Sequence, residues 1–247
     1  MSLPDITDKE RDAVAQVMAT NYLSMGPYVQ AFEKSFTDFT GAKHAIAVNS
    51  GTAGLHLCVR AAGWSDGDRV ITTPFSFVSS TNVLLYERIT PVFVDAEPLT
   101  GNIDPVQLKE AIRDLTDSEA AAAKWLPPKG VDPKGSLKGV LAVDVFGQPA
   151  DFDSIRECTD PFGMPVIEDA CEALGAIYKG RPAACSEIPV FLLFIRTNRS
   201  QQPKADWSLP TMTVRHGSSG LFETRDALKA IPGLSILISA TTTAWMK

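Results

Sequence analysis

The stretch HAIAVNSGTAGLHLCVRAA, residues 44–62, decides the fold class. Its opening part, His44–Asn49, is short and mostly apolar, and it predicts a buried strand. A predicted helix, Gly51–Ala62, begins right after that strand. A strand that leads straight into a helix is typical of α/β folds, so the flanking sequence should continue the alternation.

The alternation does continue on both sides. The other predicted strands are nearly all apolar: Arg69–Thr72, Pro91–Val94, Gly139–Val145 and Pro165–Glu168. One predicted helix begins near Thr7–Asp8, and a second carries Val29, Phe32, Phe36 and Phe39 ahead of Gly41. Three more predicted helices cover Val78–Glu87, Pro105–Arg113 and Asp151–Glu157. Apolar strands between helices predict an α/β fold with a mostly parallel sheet and helices on both faces.

Two segments interrupt this pattern. Leu115–Lys138 is rich in Ala, Lys, Pro and Gly, and we interpret it as a surface excursion. After Ala183 the order fails: the run VFLLFI is apolar, Arg196–Arg215 has no period, and the closing ISATTTAWMK fits neither a helix nor a strand pattern.

Composition narrows the class of protein. A net charge of −6 argues against a surface for nucleic acid or anionic membrane, which would need clustered Lys and Arg. No CxxC pair is present and the histidines are scattered, so we expect no metal site and reduced core cysteines: Cys58, Cys158, Cys171 and Cys185. The polar N-terminus and the lack of an apolar run of about 20 residues predict a cytoplasmic protein without a membrane span.

Three strand ends carry residues that could do chemistry. In Asn49–Gly54, small residues between strand and helix favour a phosphate site with the Thr52 hydroxyl, or equally a plain helix cap by Ser50 or Thr52. Glu168 and Asp169 end a strand at the edge where α/β proteins bind ligands. One carboxylate there could meet a cationic ring nitrogen, although position alone favours solvated or capping acids.

Aromatic residues follow another strand. Phe75 and Phe77 flank Ser76 at a predicted sheet edge, where a ring could stack on a flat cofactor. Without further context, core packing is the better interpretation of both. Phe146–Pro149 indicates only a turn.

Taken in order, these segments resemble the DegT/DnrJ/StrS-type family of sugar aminotransferases that depend on pyridoxal 5′-phosphate (PLP). The matching pieces extend from near residue 1 to Ala183: LSMGPYVQAFEKSF, AVNSGTAGLHL, ITTPFSFVSSTN, PVFVDAEPLTGNIDP, VDVFGQPADFD and VIEDACEALGAIYKGRP. The resemblance implies the aspartate aminotransferase fold (PLP fold type I), an obligate homodimer, and amino transfer from glutamate to a keto sugar carried on a nucleotide.

The resemblance also assigns roles to individual residues. Thr52 and Ala53 would hold the PLP phosphate, and Phe77 would stack on the pyridine ring. Asp169 would pair with the ring nitrogen and keep it protonated, as an electron sink requires. Glu172 stands where the family often has Gln or His, near the phenolic oxygen of the cofactor.

The chain departs from the family where the Schiff-base lysine is expected. The family has a stretch like FYPNKQITTGEGG, whereas this chain has FLLFIRTNRSQQPKADW, and Lys204 has the wrong neighbours. If each codon is regrouped as its third base plus the next two bases, Leu193–Ser200 can encode FYPNKQI. The missing lysine would then straddle the codons of Thr197 and Asn198.

The same regrouping recovers a second motif. Ser239–Lys247 can give GYNYRMDE, and the single codons of Trp245 and Met246 force the final D and E. We therefore hypothesise a frame change just after Ala183. Residues 1–183 would be the N-terminal part of the PLP-dependent major domain, residues 184–247 an out-of-frame tail, and the C-terminal small domain would be absent.

This hypothesis leaves three functional interpretations. The intended gene product would be a nucleotide-sugar aminotransferase, while the literal chain would be inactive because the lysine is missing. The literal chain could instead bind PLP or its amine form, pyridoxamine 5′-phosphate (PMP), without catalysis. It could also be a non-functional fragment that misfolds because its sheet has lost strands.

Overall fold

The computed structural model of the chain describes residues 6–42, 44–129, 135–183, 190–195 and 237–240. Its α-helices are α1 (Asp8–Met18), α2 (Pro27–Thr40), α3 (Gly51–Ala61), α4 (Ser79–Tyr86), α5 (Pro105–Asp117), α6 (Glu119–Ala122) and α7 (Phe152–Thr159). Its strands are β1 (Ile46–Val48), β2 (Arg69–Thr72), β3 (Thr90–Phe93), β4 (Leu137–Val143), β5 (Val166–Asp169), β6 (Ile177–Tyr178), β7 (Arg181–Pro182), β8 (Val190–Ile195) and β9 (Leu237–Ala240).

Seven of these strands form one sheet in the order β1–β9–β8–β5–β4–β2–β3. Every adjacent pair in it is parallel. β4 and β5 align Val140 with Val166 and Val143 with Asp169, so the two strands end at the same level. β6 and β7 form a separate antiparallel ribbon. The predicted α/β class with a parallel sheet is confirmed.

The helix ends follow the local sequence signals. At the start of α1 the Thr7 backbone N–H donates to the Glu10 carboxylate at 2.7 Å, which satisfies a donor that the helix leaves open. α2 ends at Gly41, whose φ of 75° is left-handed and suits glycine. At the start of α5 the Asp104 side chain accepts from the Val106 N–H at 2.8 Å.

Each face of the sheet buries its own apolar cluster. We call one the α5/α7 face, which includes Phe36, Ile71, Leu108, Ile112, Val140, Phe152, Ile155 and Val166. We call the other the α3/α4 face, which includes Leu55, Cys58, Val59, Val70, Val83, Leu84, Leu141 and Ile167. Because successive strand residues point to opposite faces, neighbours such as Val166 and Ile167 fall in different clusters. The fully apolar strands are thus explained by burial on both sides.

The first predicted strand differs from expectation. His44–Asn49 was expected to be a buried strand, but β1 covers only Ile46–Val48 and is half-buried. The reason is its position at one edge of the sheet, where it pairs with β9 alone. An edge strand has a neighbouring strand on one side only, so its other side is left uncovered by the sheet.

The predicted surface excursion, Leu115–Lys138, is wrong at both of its ends. α5 continues to Asp117, α6 follows, and β4 already begins at Leu137. The Trp125 indole donates to the Asp114 carboxylate at 3.0 Å, so this segment is tied back onto α5. Residues 130–134 lie outside the described part of the chain.

Part of the C-terminal segment also forms strands. The run VFLLFI is β8, which pairs with β5 and β9. The closing residues were expected to fit no strand, but Leu237–Ala240 forms β9 between β1 and β8. Arg196–Arg215 and Cys185 lie outside the described residues.

Two features are absent from the described residues. No helix among them is long and apolar enough to cross a bilayer. They contain no group of three or more His, Cys, Asp or Glu side chains placed to hold a metal ion. Cys58 and Cys158 are buried free thiols, and Cys171 is a half-buried one.

Candidate functional site

The candidate site lies at the edge of the sheet where the parallel strands end. The segments that follow β1, β2, β4 and β5 are Asn49–Ser50, Thr73–Val78, Asp144–Gln148 and Ala170–Glu172. A hydrogen bond ties the segment after β4 to the end of β5, since the Asp144 N–H donates to the Asp169 carbonyl at 3.0 Å. The sequence-predicted site residues lie in these segments, at the end of β5, or in the first turn of the helix that follows β1.

Thr52 and Ala53 lie in the first turn of α3 and are half-buried. The Ser50 hydroxyl accepts from the Ala53 N–H at 3.1 Å, so the predicted helix cap exists and Ser50 provides it. A helix start offers outward-pointing N–H groups and the positive end of the helix dipole. The cap and an anion site are therefore compatible, although the Ala53 N–H is already donated to Ser50.

Asp169, the last residue of β5, is only 4% exposed. Its Oδ2 accepts from the Ser80 hydroxyl at 2.8 Å, and its Oδ1 accepts from the Cys171 N–H at 3.2 Å. The Ser80 hydroxyl also lies 2.7 Å from the Ser76 hydroxyl. The interpretation that the two acids of this strand end are solvated is wrong, because both are buried. Asp169 does cap the next turn through Cys171, as that interpretation also allowed.

Burial raises the pKa of Asp169 above its usual value, although the bonds from Cys171 and Ser80 oppose the shift. No ion pair joins Asp169 to a cationic side chain in the part of the chain that the structure describes. A buried carboxylate with hydroxyl and amide donors but no cation is suited to a cationic group brought by a ligand. A protonated pyridine nitrogen would meet this requirement and would lower the pKa of Asp169.

The aromatic residues after β2 are exposed. Phe77 is 77% exposed and Phe75 is 48% exposed, so the core-packing interpretation is wrong for both. The Phe75 ring meets the Phe146 ring edge to face, with centroids 5.9 Å apart. A flat ligand at this edge would therefore find aromatic faces available for stacking.

Glu172 also lies at this edge and is exposed. Its Oε2 accepts from the Phe146 N–H at 2.9 Å. Asn102, which the sequence analysis did not single out, accepts from the Val145 N–H at 3.0 Å and donates to the Gln148 carbonyl at 2.8 Å. Ser80 was missed as well, although its place in a serine-rich helix start after β2 was a usable signal.

A further acid, Asp144, was missed, and it forms a second pair of acids with Glu168 beside the site. Asp144 follows β4 directly and Glu168 lies in the adjacent strand β5; they are 0% and 1% exposed and interact electrostatically. The Asp144 Oδ1 accepts from the Ala150 N–H at 2.9 Å, but its Oδ2 has no hydrogen-bond partner among the described residues. Two carboxyl groups buried close together disfavour each other's ionisation. Burial and the Glu168 charge raise the pKa of Asp144 well above its usual value.

Comparisons with known proteins agree on one family. The model of the DegT/DnrJ/EryC1/StrS aminotransferase family matches residues 4–191. The spore coat polysaccharide biosynthesis protein SpsC of Bacillus subtilis is 40% identical over 73% of this chain and 41% of its own length. The GDP-perosamine synthase of Caulobacter vibrioides is 36% identical over 73% of this chain and 43% of its own.

A solved structure shows the same fold. DesI, crystallised in the presence of its TDP-sugar product, is 30% identical with a TM-score of 0.58, covering 74% of this chain and 41% of its own. The chain thus spans less than half the length of each of these relatives. Its parallel sheet and helices match the fold of PLP-dependent aminotransferases of fold type I. The chain belongs to the DegT/DnrJ/EryC1/StrS aminotransferase family.

Proposed function

We propose that the chain derives from a PLP-dependent aminotransferase that acts on a nucleotide-linked keto sugar and takes its amino group from glutamate. The observation that carries the proposal is the buried Asp169 carboxylate, which has hydroxyl and amide donors and lies at the ligand-binding edge of a parallel sheet. The names of the relatives, a GDP-perosamine synthase and a protein crystallised with a TDP-sugar product, support the substrate class.

The residues present fit the cofactor. The N-terminal turn of α3, with Thr52 and Ala53, would hold the phosphate through the Thr52 hydroxyl and the backbone N–H groups of the turn other than the Ala53 N–H, which is donated to Ser50. Asp169 would hold a proton on the ring nitrogen, and Phe77 would cover one face of the ring. When bound, PLP supplies an electron sink for the bonds that break at the amino carbon. Burial of Asp169 excludes water from this carboxylate and strengthens its interaction with a cation.

Transamination requires a proton transfer that a lysine would carry out, and the same lysine would anchor the cofactor. We propose that the lysine was lost by the frame change after Ala183, with residues 184–247 as the out-of-frame tail. The literal chain then performs no transamination above background. A homodimer is part of the same proposal, since exposed apolar side chains such as Phe77, Val78 and Phe146 lie at the site edge.

The test is to sequence the gene, restore the reading frame and add PLP to the purified protein. We expect a yellow protein whose absorbance bleaches when glutamate is added and returns with a keto sugar nucleotide. The literal chain is the matched control and stays colourless after dialysis. A gene whose regrouped codons give no FYPNKQ stretch contradicts the frame change. A frame-corrected protein that folds well but does not bind PLP contradicts the proposed function.

A second candidate function is non-catalytic binding of PMP by the literal chain. The observation in its favour is that Thr52, Phe77 and Asp169 all lie within the described residues that precede the tail. Titration with PMP, followed by its own fluorescence, separates the candidates. Saturable binding supports a binding protein, whereas insoluble or unresponsive protein supports a non-functional fragment.

A further inference from the structure

A hydrogen-bond network of three side chains leads from the surface to the buried Asp169 carboxyl group. The Ser76 and Ser80 hydroxyls are 2.7 Å apart, and the Ser80 hydroxyl lies 2.8 Å from the Asp169 Oδ2. Ser80 is 0% exposed and Asp169 is 4% exposed, whereas Ser76 is half-buried. Ser76 is therefore the end of the network that solvent reaches.

The direction of these bonds is fixed when Asp169 is ionised. A carboxylate can only accept, so the Ser80 hydroxyl donates its single proton to Oδ2. Ser80 can then only accept in its contact with Ser76, and the Ser76 hydroxyl must be the donor there. Both hydroxyl protons thus point inward, toward the charge.

The opposite arrangement is complete when Asp169 is protonated. Asp169 then donates to the Ser80 oxygen, and Ser80 donates to the Ser76 oxygen. Ser76 in turn donates to the Phe77 carbonyl oxygen, which lies 3.0 Å away. Every proton of the network has an acceptor in both arrangements. The same positions of the oxygen atoms therefore suit both protonation states of Asp169.

A concerted shift of one proton along each bond converts the second arrangement into the first. The Asp169 O–H bond breaks as its proton joins Ser80, the Ser80 proton joins Ser76, and the Ser76 proton passes to a water molecule at the surface. Ser80 then holds a proton aimed at Asp169, and Ser76 holds one aimed at Ser80. The net result is one proton moved from Asp169 to solvent, with both hydroxyls restored.

We propose that Ser76 and Ser80 form a proton relay, which exchanges the proton of Asp169 with solvent while the carboxyl group itself stays covered. Both serines act through Asp169, so they are positioning residues. The use of the relay rests on the proposed function. Burial raises the pKa of Asp169, and a ligand cation beside it would lower that pKa again, so binding of the cation favours release of a proton.

Other titratable groups face Asp169. Cys58 on α3 and Cys171 in the next loop are thiols whose pKa is raised by burial, so both are neutral at neutral pH. The charges of Glu172 and Asp144 oppose ionisation of Asp169. These groups shift the equilibrium of the Asp169 proton. The half-buried Cys171 thiol also hydrogen-bonds Asp169 and is the rival path to solvent.

The test measures proton exchange at Asp169 in the full chain without cofactor, by carbon-13 relaxation dispersion of the carboxyl group. Ser76→Ala should slow the exchange about tenfold and leave the titration midpoint within about 0.5 pH unit, because Ser80 still donates to Asp169. Ser76→Thr keeps the hydroxyl and should restore the wild-type rate. Ser79→Ala is the matched control, since it changes the neighbouring serine of α4, which is not part of the network.

The other variants decide between paths. Ser80→Ala should slow the exchange and also raise the pKa of Asp169, because the bond from Ser80 lowers it. Unchanged exchange in Ser76→Ala overturns the proposal, as does equal slowing in Ser79→Ala. Slowing in Cys171→Ala with normal exchange in Ser76→Ala assigns the path to the thiol and overturns it too. If Ser80→Ala does not fold, the variants of the half-buried Ser76 decide alone.

PMP separates the relay from the proposed function. A pH-indicator dye should report proton release together with PMP binding in the wild type, and release about tenfold slower in Ser76→Ala. A chain that does not bind PMP, with exchange at Asp169 as expected, contradicts the proposed function and leaves the relay confirmed. PMP binding, with exchange at Asp169 that neither serine variant slows, contradicts the relay alone.

Discussion

Glu168 and Asp169 are consecutive residues of β5, and both carboxyl groups are buried, yet their surroundings differ. Asp169 points toward the α3/α4 face and accepts from the Ser80 hydroxyl and the Cys171 N–H. Glu168 points toward the α5/α7 face and interacts electrostatically with another buried acid, Asp144. Burial disfavours the charge on both faces, and the neighbouring acid disfavours it further on the α5/α7 face, whereas the Ser80 hydroxyl and the Cys171 N–H stabilise an Asp169 anion. The comparison teaches that the neighbouring groups, rather than the depth, mark Asp169 as the partner for a ligand cation.

The largest expected effect is on PMP affinity, when Asp169 is neutralised and Glu168 is neutralised for comparison. Asp169→Asn should weaken PMP binding about 100-fold, because removing one partner of a buried ion pair costs about 3 kcal/mol or more. Glu168→Gln is the matched control, one residue away in the same strand, and should change PMP affinity less than about threefold. Fluorescence titration measures both. Equal losses in the two variants would remove the distinction between the faces.

The acid pair on the α5/α7 face should respond to pH. Because the pKa of Asp144 is raised in the folded state, the native chain holds a proton that the unfolded chain releases, and stability falls as pH rises above the pKa of the unfolded residue. Asp144→Asn keeps the size of the side chain and removes the carboxyl group that ionises. It should raise the free energy of unfolding by about 1–3 kcal/mol at neutral pH.

The same substitution should have little effect near about pH 2–3, where both acids are mostly protonated in the folded and the unfolded state. Urea unfolding between that pH and neutral pH measures the difference. A gain that is the same at acid and neutral pH, or a loss at neutral pH, would show that ionisation of Asp144 does not limit the stability of the fold.

A smaller effect, on stability, is expected from removing the Ser80 hydroxyl, the donor on the α3/α4 face. Ser80→Ala removes the hydroxyl that the Asp169 Oδ2 accepts from, and should lower the free energy of unfolding by about 1 kcal/mol. Ser76→Ala is the control, since it leaves the Ser80–Asp169 bond in place. Urea unfolding at neutral pH compares them. A Ser76→Ala variant that is the more destabilised of the two would contradict the assigned roles.

The smallest effect on stability is expected at Phe77. Because its side chain is 77% exposed, Phe77→Ala should change the free energy of unfolding by less than about 0.5 kcal/mol. Loss of ring stacking should nevertheless weaken PMP binding about fivefold, which corresponds to about 1 kcal/mol. A large loss of stability, with affinity unchanged, would place Phe77 in the fold instead of the site.

The sequence predicted the alternation of strands and helices because fully buried strands must be apolar along their whole length. It predicted Arg69–Thr72 without error and placed other boundaries within a few residues. It failed at β1 because the order of strands, and thus which one lies at the edge, depends on distant pairings. It failed in Leu115–Lys138 because polar side chains such as Asp114 and Lys124 hold that segment on α5 through an ion pair at 2.7 Å.

The candidate site residues were proposed from motifs, whereas their surroundings could not be predicted. Position alone favoured solvated acids at the end of β5, because the Ser80 donor comes from 89 residues earlier in the chain. The left-handed backbone at Phe146 could not be foreseen, since its residue type argues against that conformation. Asp144 and Glu168 meet only once β4 and β5 pair, so the sequence singled out Glu168 but not its neighbour Asp144.

The central claim is that Asp169 holds a proton on the ring nitrogen of a bound pyridine cofactor. The most direct measurement is the nitrogen NMR shift of PMP labelled at its ring nitrogen and bound to the chain. We predict a protonated ring whose shift stays constant above the pH at which free PMP loses that proton, and a return to free behaviour in Asp169→Asn. A bound ring nitrogen that titrates as it does in solution would contradict the account.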